Sequence, residues 1–234
     1  MTRTEGIDDG CPAGETARSA PTSSAHDGGE QGAPPPPGPR SRTSEWAHFL
    51  FEFLRHPIRT GAIAPSSRFL AARMVEEMGI PAASTVVELG PGTGSFTVAI
   101  EREIAPNASF FAVELNPALA NGLRSRVRRA VVIEGSAEHL HTHLDQHGCA
   151  HADAILCGLP WASFHPSLQE RLMTSIEASL RPGGRFATFQ YIHASWFPTA
   201  RRFRKLLERH FSSVETSNVE WRNVPPAFVF RCTK

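Results

Sequence analysis

The stretch "VVELGPGTGSF", residues 86–96, constrains the fold more than any other: a run of apolar, β-branched residues passes directly into three glycines at alternate positions. Val86, Val87 and Leu89 fit a buried strand, while Gly90, Gly92 and Gly94 allow positive φ and let a ligand approach the main chain. The helix that follows such a turn offers unpaired N–H groups at its start. From Thr85 onward strands and helices alternate. Strands are expected near 85–89, 109–114, 130–134, 153–157 and 184–191, with helices near 94–104, 117–128, 136–144 and 166–180 between them. A further helix near 199–210 precedes two last strands near 213–219 and 226–232. This spacing predicts an α/β fold with a doubly wound, mostly parallel sheet, in which ligands bind beyond the carboxyl ends of the strands.

Upstream the composition shifts. Residues 1–43 contain no aromatic side chain, are rich in Gly, Ser and Pro, and end in "GAPPPPGPRSR". Such a stretch buries too little apolar surface to offset its ordering entropy, which predicts a disordered tail with a stiff polyproline end, either a linker or a Pro-rich partner site. Order is expected from Ser44, an N-cap for "EWAHFLFEFLRH", where Trp46, Phe49, Leu50, Phe53 and Leu54 share one face of a helix over 44–56. A second helix follows from about 66 to 78. One domain over 44–234 accounts for the rest.

The turn also carries an acid, Glu88, and the second strand ends in another, Glu114 in "FFAVELNP". A carboxylate at that strand end accepts hydrogen bonds from both hydroxyls of a ribose, so the expected ligand contains adenosine. A dinucleotide fingerprint needs G-x-G-x-x-G, whereas Ser95 stands at the third position here and the chain has G-x-G-x-G. Glu88 would repel a pyrophosphate but not a cationic sulfonium on a zwitterionic amino acid. The turn therefore favours S-adenosylmethionine over NAD. A glycine turn that only permits tight packing is the rival reading, and the acid after the second strand argues against it.

With "VVELGPGTGSF", the acid in "FAVELNP", "EGSAEHL" after the third strand and "SLRPGGRF" leading into the fifth, the chain resembles class I S-adenosylmethionine-dependent methyltransferases over about residues 48–232. The resemblance implies a Rossmann-like, mostly parallel seven-stranded sheet with N-terminal helices. It assigns Glu88, Gly90, Gly92 and Gly94 to the methionine part, Glu114 to the ribose, and Ser136 and Ala137 to the adenine. Ser136 stands where many relatives carry Asp, which leaves the adenine to a backbone N–H.

"FLRHPIRTGAIAPSSRFLAARM", "LCGLPWASFHPSL" and "WRNVPPAFVFRC" resemble the bacterial phospholipid N-methyltransferases that act on phosphatidylethanolamine, which are similar in turn to rRNA adenine dimethyltransferases. The latter place Asn at the position of Gly158 to grip a flipped base. That grip is missing here, and 24 basic against 23 acidic residues give no field to hold a polyanion, so nucleic acid is not the expected partner. The expected partners are a phospholipid or small-molecule amine. Gly158 falls to the cofactor side, and Leu159, Pro160, Trp161 and Phe164 to the substrate side, with Trp161 facing the transferable methyl. Tyr191, the only tyrosine, and His193 two residues on could orient the amine or take its proton. Core packing rivals that role for Tyr191, and surface exposure rivals it for His193. Trp161, Phe164 and Tyr191 are candidates for an aromatic cage around a methylated ammonium, with core packing the alternative for Phe164.

Other reactions stay open at this point: a soluble N-, O- or C-methyltransferase of a specialised metabolite, or a cofactor-binding module without catalysis. The greasy helix over 44–56 suits either attachment to an anionic membrane surface or a lid on the pocket. "WFPTARRFRKLLERHF" suits either a membrane-facing basic helix or the solvated face of a helix covering the sheet. His139, His141, His143, His147, His151 and Cys149 crowd together, yet no second well-spaced pair completes a tetrahedron, and no metal is expected. Cys11, Cys149, Cys157 and Cys232 form no C-x-x-C pair. Reduced thiols, no secretion signal and no apolar run near the roughly 18 residues of a membrane span predict a cytoplasmic protein, with peripheral attachment to the inner membrane face as an open variant.

Overall fold

The computed structural model describes residues 66–234. The expected tail over 1–43 and helix over 44–56 lie outside the described residues. Seven strands follow in chain order: β1 (Thr85–Leu89), β2 (Ser109–Glu114), β3 (Val131–Glu134), β4 (Ala152–Cys157), β5 (Leu180–Tyr191), β6 (Ser213–Thr216) and β7 (Ala227–Thr233). Among the described residues six α-helices accompany them: α1 (Arg68–Val75), α2 (Ser95–Glu103), α3 (Pro117–Arg124), α4 (Leu140–Gln146), α5 (Pro166–Ser179) and α6 (Pro198–His210). The strands form one sheet in the order β3-β2-β1-β4-β5-β7-β6. β1 to β5 run parallel, whereas β7 runs antiparallel to both β5 and β6. Ten residues, 217–226, join β6 to β7, too short a link for a helical crossover, so the chain returns as a hairpin.

Each face of the sheet carries its own core. Val86, Phe110, Leu156 and Ala187 pack with Leu70 and Met74 of α1 and with Phe96 and Ile100 of α2. Val87, Leu89, Val113, Ile155 and Phe186 pack with Leu140 and Leu144 of α4, Leu172 and Ile176 of α5, and Phe203 and Leu207 of α6. The alternation along β1 is the strand's period of two, and every residue of β1 is buried because helices cover both faces. In α6, Phe203, Leu206 and Leu207 enter the core while Arg201, Arg202, Arg204 and Lys205 are exposed, an arrangement that fits both readings of this helix.

Several helices stop earlier than the apolar spacing suggests. α3 ends at Arg124 because the N–H groups of Arg126 and Val127 both return to the Leu123 carbonyl, at 2.8 and 3.0 Å, tightening the last turn. The helix expected over 136–144 is a short 3₁₀ turn, Ala137–His139, capped by the Ser136 hydroxyl at 3.2 Å from the Glu138 N–H, and then α4. α1 begins after the Ser67 cap and ends before Glu76, whose extended backbone cannot continue a helix. No helix among the described residues is long and apolar enough to cross a membrane, and no group of three or more His, Cys, Asp or Glu there could hold a metal ion.

Candidate active site

The glycine turn lies at the carboxyl end of β1, where the strand order reverses direction between β2 and β4. Gly90, Gly92 and Gly94 take φ of 68°, 55° and 87°, values that disfavour any residue with a Cβ. Space is scarce as well as torsion: a Cβ on Gly90 would stand 2.6 Å from Leu159 Cδ2, and one on Gly94 2.8 Å from Leu123 Cδ1. Gly158 is confined by backbone instead, since a Cβ there would meet the Gly90 carbonyl oxygen at 2.7 Å. The turn after β1 and the turn after β4 therefore touch main chain to main chain. Gly158 donates to the Leu89 carbonyl at 2.8 Å, Gly90 to that of Val113 at 3.0 Å, and Gly135 to that of Glu114 at 3.0 Å, so the sheet's bonding runs one residue past each strand end.

Two acids mark this end of the sheet. Glu114 accepts the Gly92 N–H at 3.1 Å and the Asn116 N–H at 2.9 Å, and is 2% exposed. Burial raises its pKa, while the bonds from Asn116, Gly92 and Leu115 pull the other way. Glu88 lies beneath the turn, wholly buried, on the face covered by α2. Its Oε2 accepts the Thr97 hydroxyl at 2.6 Å, and its Oε1 has no partner. Desolvation pushes the carboxyl up to about 8, against the opposing bond from Thr97. An unpaired buried carboxyl oxygen under the turn suits a ligand that brings positive charge there.

Beside Glu114 opens a pocket with about 630 Å³ of non-atom space including its mouth. Gly90, Glu114, Ser136, Ala137, Leu159 and Phe164 line it, with Leu168 and Leu172 of α5 forming an apolar wall. A carboxylate at one side and apolar walls at the other suit an adenosine group. The Ser136 hydroxyl is occupied in capping the turn, and its carbonyl lies 3.2 Å from His143 Nε2. Glu88, Gly92, Gly94, Pro160 and Gly158 frame the turns without lining this pocket.

The aromatic candidates divide between the faces of the sheet. Trp161 is 4% exposed, with its ring 5.0 Å from Phe203 and 6.1 Å from Phe164. Its indole N–H donates to Thr188 Oγ1 at 3.0 Å, and the Thr188 hydroxyl donates to the Cys157 carbonyl at 3.1 Å. Tyr191 packs against the opposite core, so the structure does not bring it together with Trp161 and Phe164. It does bring Tyr191 to His193, with rings stacked at 5.7 Å and 10°. Tyr191 is half-buried, which raises its hydroxyl pKa, and His193 is exposed. Phe189 meets Tyr191 edge-on at 5.4 Å and Phe96 at 5.7 Å, so an aromatic row runs from the glycine turn to the end of β5.

Sequence reasoning passed over Phe96 and Phe189, along with Thr97, Thr188 and Gln169. Gln169, 6% exposed, donates its side-chain amide to the carbonyls of Trp161 at 2.6 Å and Phe164 at 3.3 Å, fixing the loop after β4. The alternation of Phe189 and Tyr191 on one side of β5 was a usable cue. The long-range partners of Glu88 and Trp161 had none.

Residues 86–184 match the model of a methyltransferase domain. The ornithine lipid N-methyltransferase of Singulisphaera acidiphila is 33% identical over 187 residues, covering 79% of this chain and 93% of that protein. The O-methyltransferase TomG of Streptomyces achromogenes, solved with S-adenosylmethionine, superposes with a TM-score of 0.57 at 17% identity, over 80% of this chain and 89% of TomG. An O-methyltransferase of Bacillus cereus, solved with S-adenosylhomocysteine, gives 0.56 at 16% identity, over 85% and 93% of the two chains. The two structures share the fold with this chain. The chain belongs to the class I S-adenosylmethionine-dependent methyltransferases, and S-adenosylmethionine is its cofactor.

Proposed function

We propose that the enzyme methylates the amine of a membrane lipid head group. The observation that carries this reading is the extent of the likeness to an ornithine lipid N-methyltransferase, which spans nearly all of that protein. Phosphatidylethanolamine, the acceptor implied by the resemblance of "LCGLPWASFHPSL" and "WRNVPPAFVFRC", offers the same chemistry as an ornithine side chain, a primary amine on a flexible head.

When bound, S-adenosylmethionine would supply a sulfonium methyl group for in-line attack by an amine lone pair, the C–S electron pair leaving with S-adenosylhomocysteine. The protein's part is to position and to exclude water. Gly90, Gly92, Gly94 and Glu88 hold the amino-acid end, Glu114 the ribose, and Ser136 and Ala137 border the adenine. The backbone at Gly158, Leu159 and Pro160, set by Thr188 and Gln169, walls the acceptor side. Tyr191 stays a neutral phenol and orients the amine, and His193, exposed beside it, passes the released proton to water. Phe189 and Tyr191, both partly exposed, offer aromatic surface to the softer cation of a methylated product.

The test is methyl-labelled S-adenosylmethionine with the purified protein and detergent-dispersed phosphatidylethanolamine or ornithine lipid, followed by chromatography of the lipid extract. Label in a mono-, di- or trimethylated lipid supports the reading and identifies the head group. No label in either lipid, with cofactor binding confirmed in the same preparation, overturns it in favour of a soluble acceptor.

A further inference from the structure

Six large apolar side chains are exposed among the described residues, and four of them, Trp196 at 88%, Phe197 at 59%, Trp221 at 68% and Val224 at 72%, belong to two segments that meet. One is the 3₁₀ turn Ile192–Trp196 with Phe197 after it, leaving β5. The other is the loop over 217–226 that enters β7. Tyr191 pairs with Ala227, and the Ile192 N–H donates to the Pro226 carbonyl at 2.9 Å, so both segments stand together at the carboxyl end of β5. That end adjoins the turn after β4, because Cys157 pairs with Thr188.

The loop presenting Trp221 and Val224 is tightly held from beneath. Glu220, 4% exposed, takes two bonds from the Arg222 guanidinium, at 2.8 and 3.1 Å, and one from the Arg222 backbone N–H at 3.1 Å. Asn223, 2% exposed, accepts the Ser67 N–H at 3.0 Å and donates to the Pro225 carbonyl at 2.7 Å. The Arg222 guanidinium also lies 4.0 Å from the centroid of the Phe69 ring. A loop anchored at Glu220 and Asn223 turns these two polar side chains inward and Trp221 and Val224 outward, the reverse of a loop built only for water.

We infer that this rim is a docking surface for an anionic lipid bilayer, with Trp196, Phe197, Trp221 and Val224 entering the interface. The inference rests on the lipid-amine reading, since a head group held in a membrane reaches the turn after β4 only if that end of the sheet faces the bilayer. Tryptophan is the residue most at home at the boundary between acyl chains and water. The charge agrees: α6 starts at the rim, and Arg201, Arg202 and Lys205 are exposed with no carboxylate partner among the described residues. Cations so placed attract anionic head groups within a Debye length.

The full chain is sedimented with vesicles of phosphatidylcholine alone and of phosphatidylcholine with phosphatidylglycerol. The wild type should favour the anionic vesicles, and Arg201→Gln/Arg202→Gln/Lys205→Gln should remove the preference. Trp196→Ser/Phe197→Ser/Trp221→Ser/Val224→Ser should partition roughly tenfold or more weakly, with unchanged melting temperature, cofactor affinity and methylation of detergent-dispersed lipid. Brominated lipid should quench the wild-type tryptophan emission, a readout that needs no variant to fold. The inference is overturned if the rim variant sediments like the wild type, which would move the attachment to the segment over 44–56, or if the wild type binds neither vesicle. It is also overturned if the rim variant instead abolishes a dimer formed without lipid. Vesicle binding without label in any dispersed lipid would sink the lipid-amine reading alone.

Discussion

The Gly92 N–H donates to the Glu114 carboxylate across 3.1 Å, tying the middle of the cofactor turn to the acid at the end of the next strand. The same carboxylate takes the Asn116 N–H, so both of its oxygens are held in place without a ligand. A group preset in this way costs little ordering on binding.

Glu114→Ala removes both anchors and the ribose acceptor together. Bonds to a charged group contribute about 1.5–3 kcal/mol each, so cofactor affinity should fall by roughly tenfold or more with the fold retained. Calorimetric titration with S-adenosylhomocysteine checks this, and unchanged affinity would remove Glu114 from the ribose.

Glu88 makes the cofactor-free protein sensitive to alkali. Its folded pKa of about 8 lies above the usual value of 4.5, so between those values the folded chain holds a proton that the unfolded chain has released. The associated stability is complete below 4.5 and is lost as pH rises through 8. The melting temperature should decline across that window, and Glu88→Gln should flatten the decline. A pH series of thermal melts with wild type and variant decides the matter.

Thr188→Val should leave the Trp161 indole N–H without an acceptor inside the core, at a cost of about 1–3 kcal/mol. The loop after β4 would lose its tie to β5 while the cofactor turn stays intact. Single-turnover rates should drop more than cofactor affinity does, and equal losses in both would argue against a loop-specific role.

Gly158→Ala places a methyl 2.7 Å from the Gly90 carbonyl oxygen. Neither backbone can yield without disturbing the turn, so the variant should bind S-adenosylhomocysteine poorly and melt lower, by about 1–3 kcal/mol of overpacking. A variant with wild-type binding would show that the two turns can separate.

Local pattern made the glycine turn and the two strand-end acids legible. Glu88 and Glu114 each sit at the end of a strand whose apolar residues and terminating turn were visible, and β1 and β2 span the expected residues. The acceptor half depends on pairings between distant segments. Trp161 and Thr188 lie 27 positions apart and meet only because β4 and β5 pair in one register. Parity along β5 separates Thr188 from Tyr191, yet which side faces α2 follows from that register and from the helices on each face. The expected cage of Trp161, Phe164 and Tyr191 needed both facts, and neither is written in residue spacing.

β7 lies between β5 and β6, although both precede it in the chain. During synthesis, β5 therefore emerges with the N–H and C=O groups over Arg185–Tyr191 unpaired along one edge, and β6 emerges with no neighbour at all. An open strand edge invites pairing with other nascent chains. Until residues 227–233 pair, both of those edges stay open, so this one strand covers β5 and ties β6 into the sheet at once.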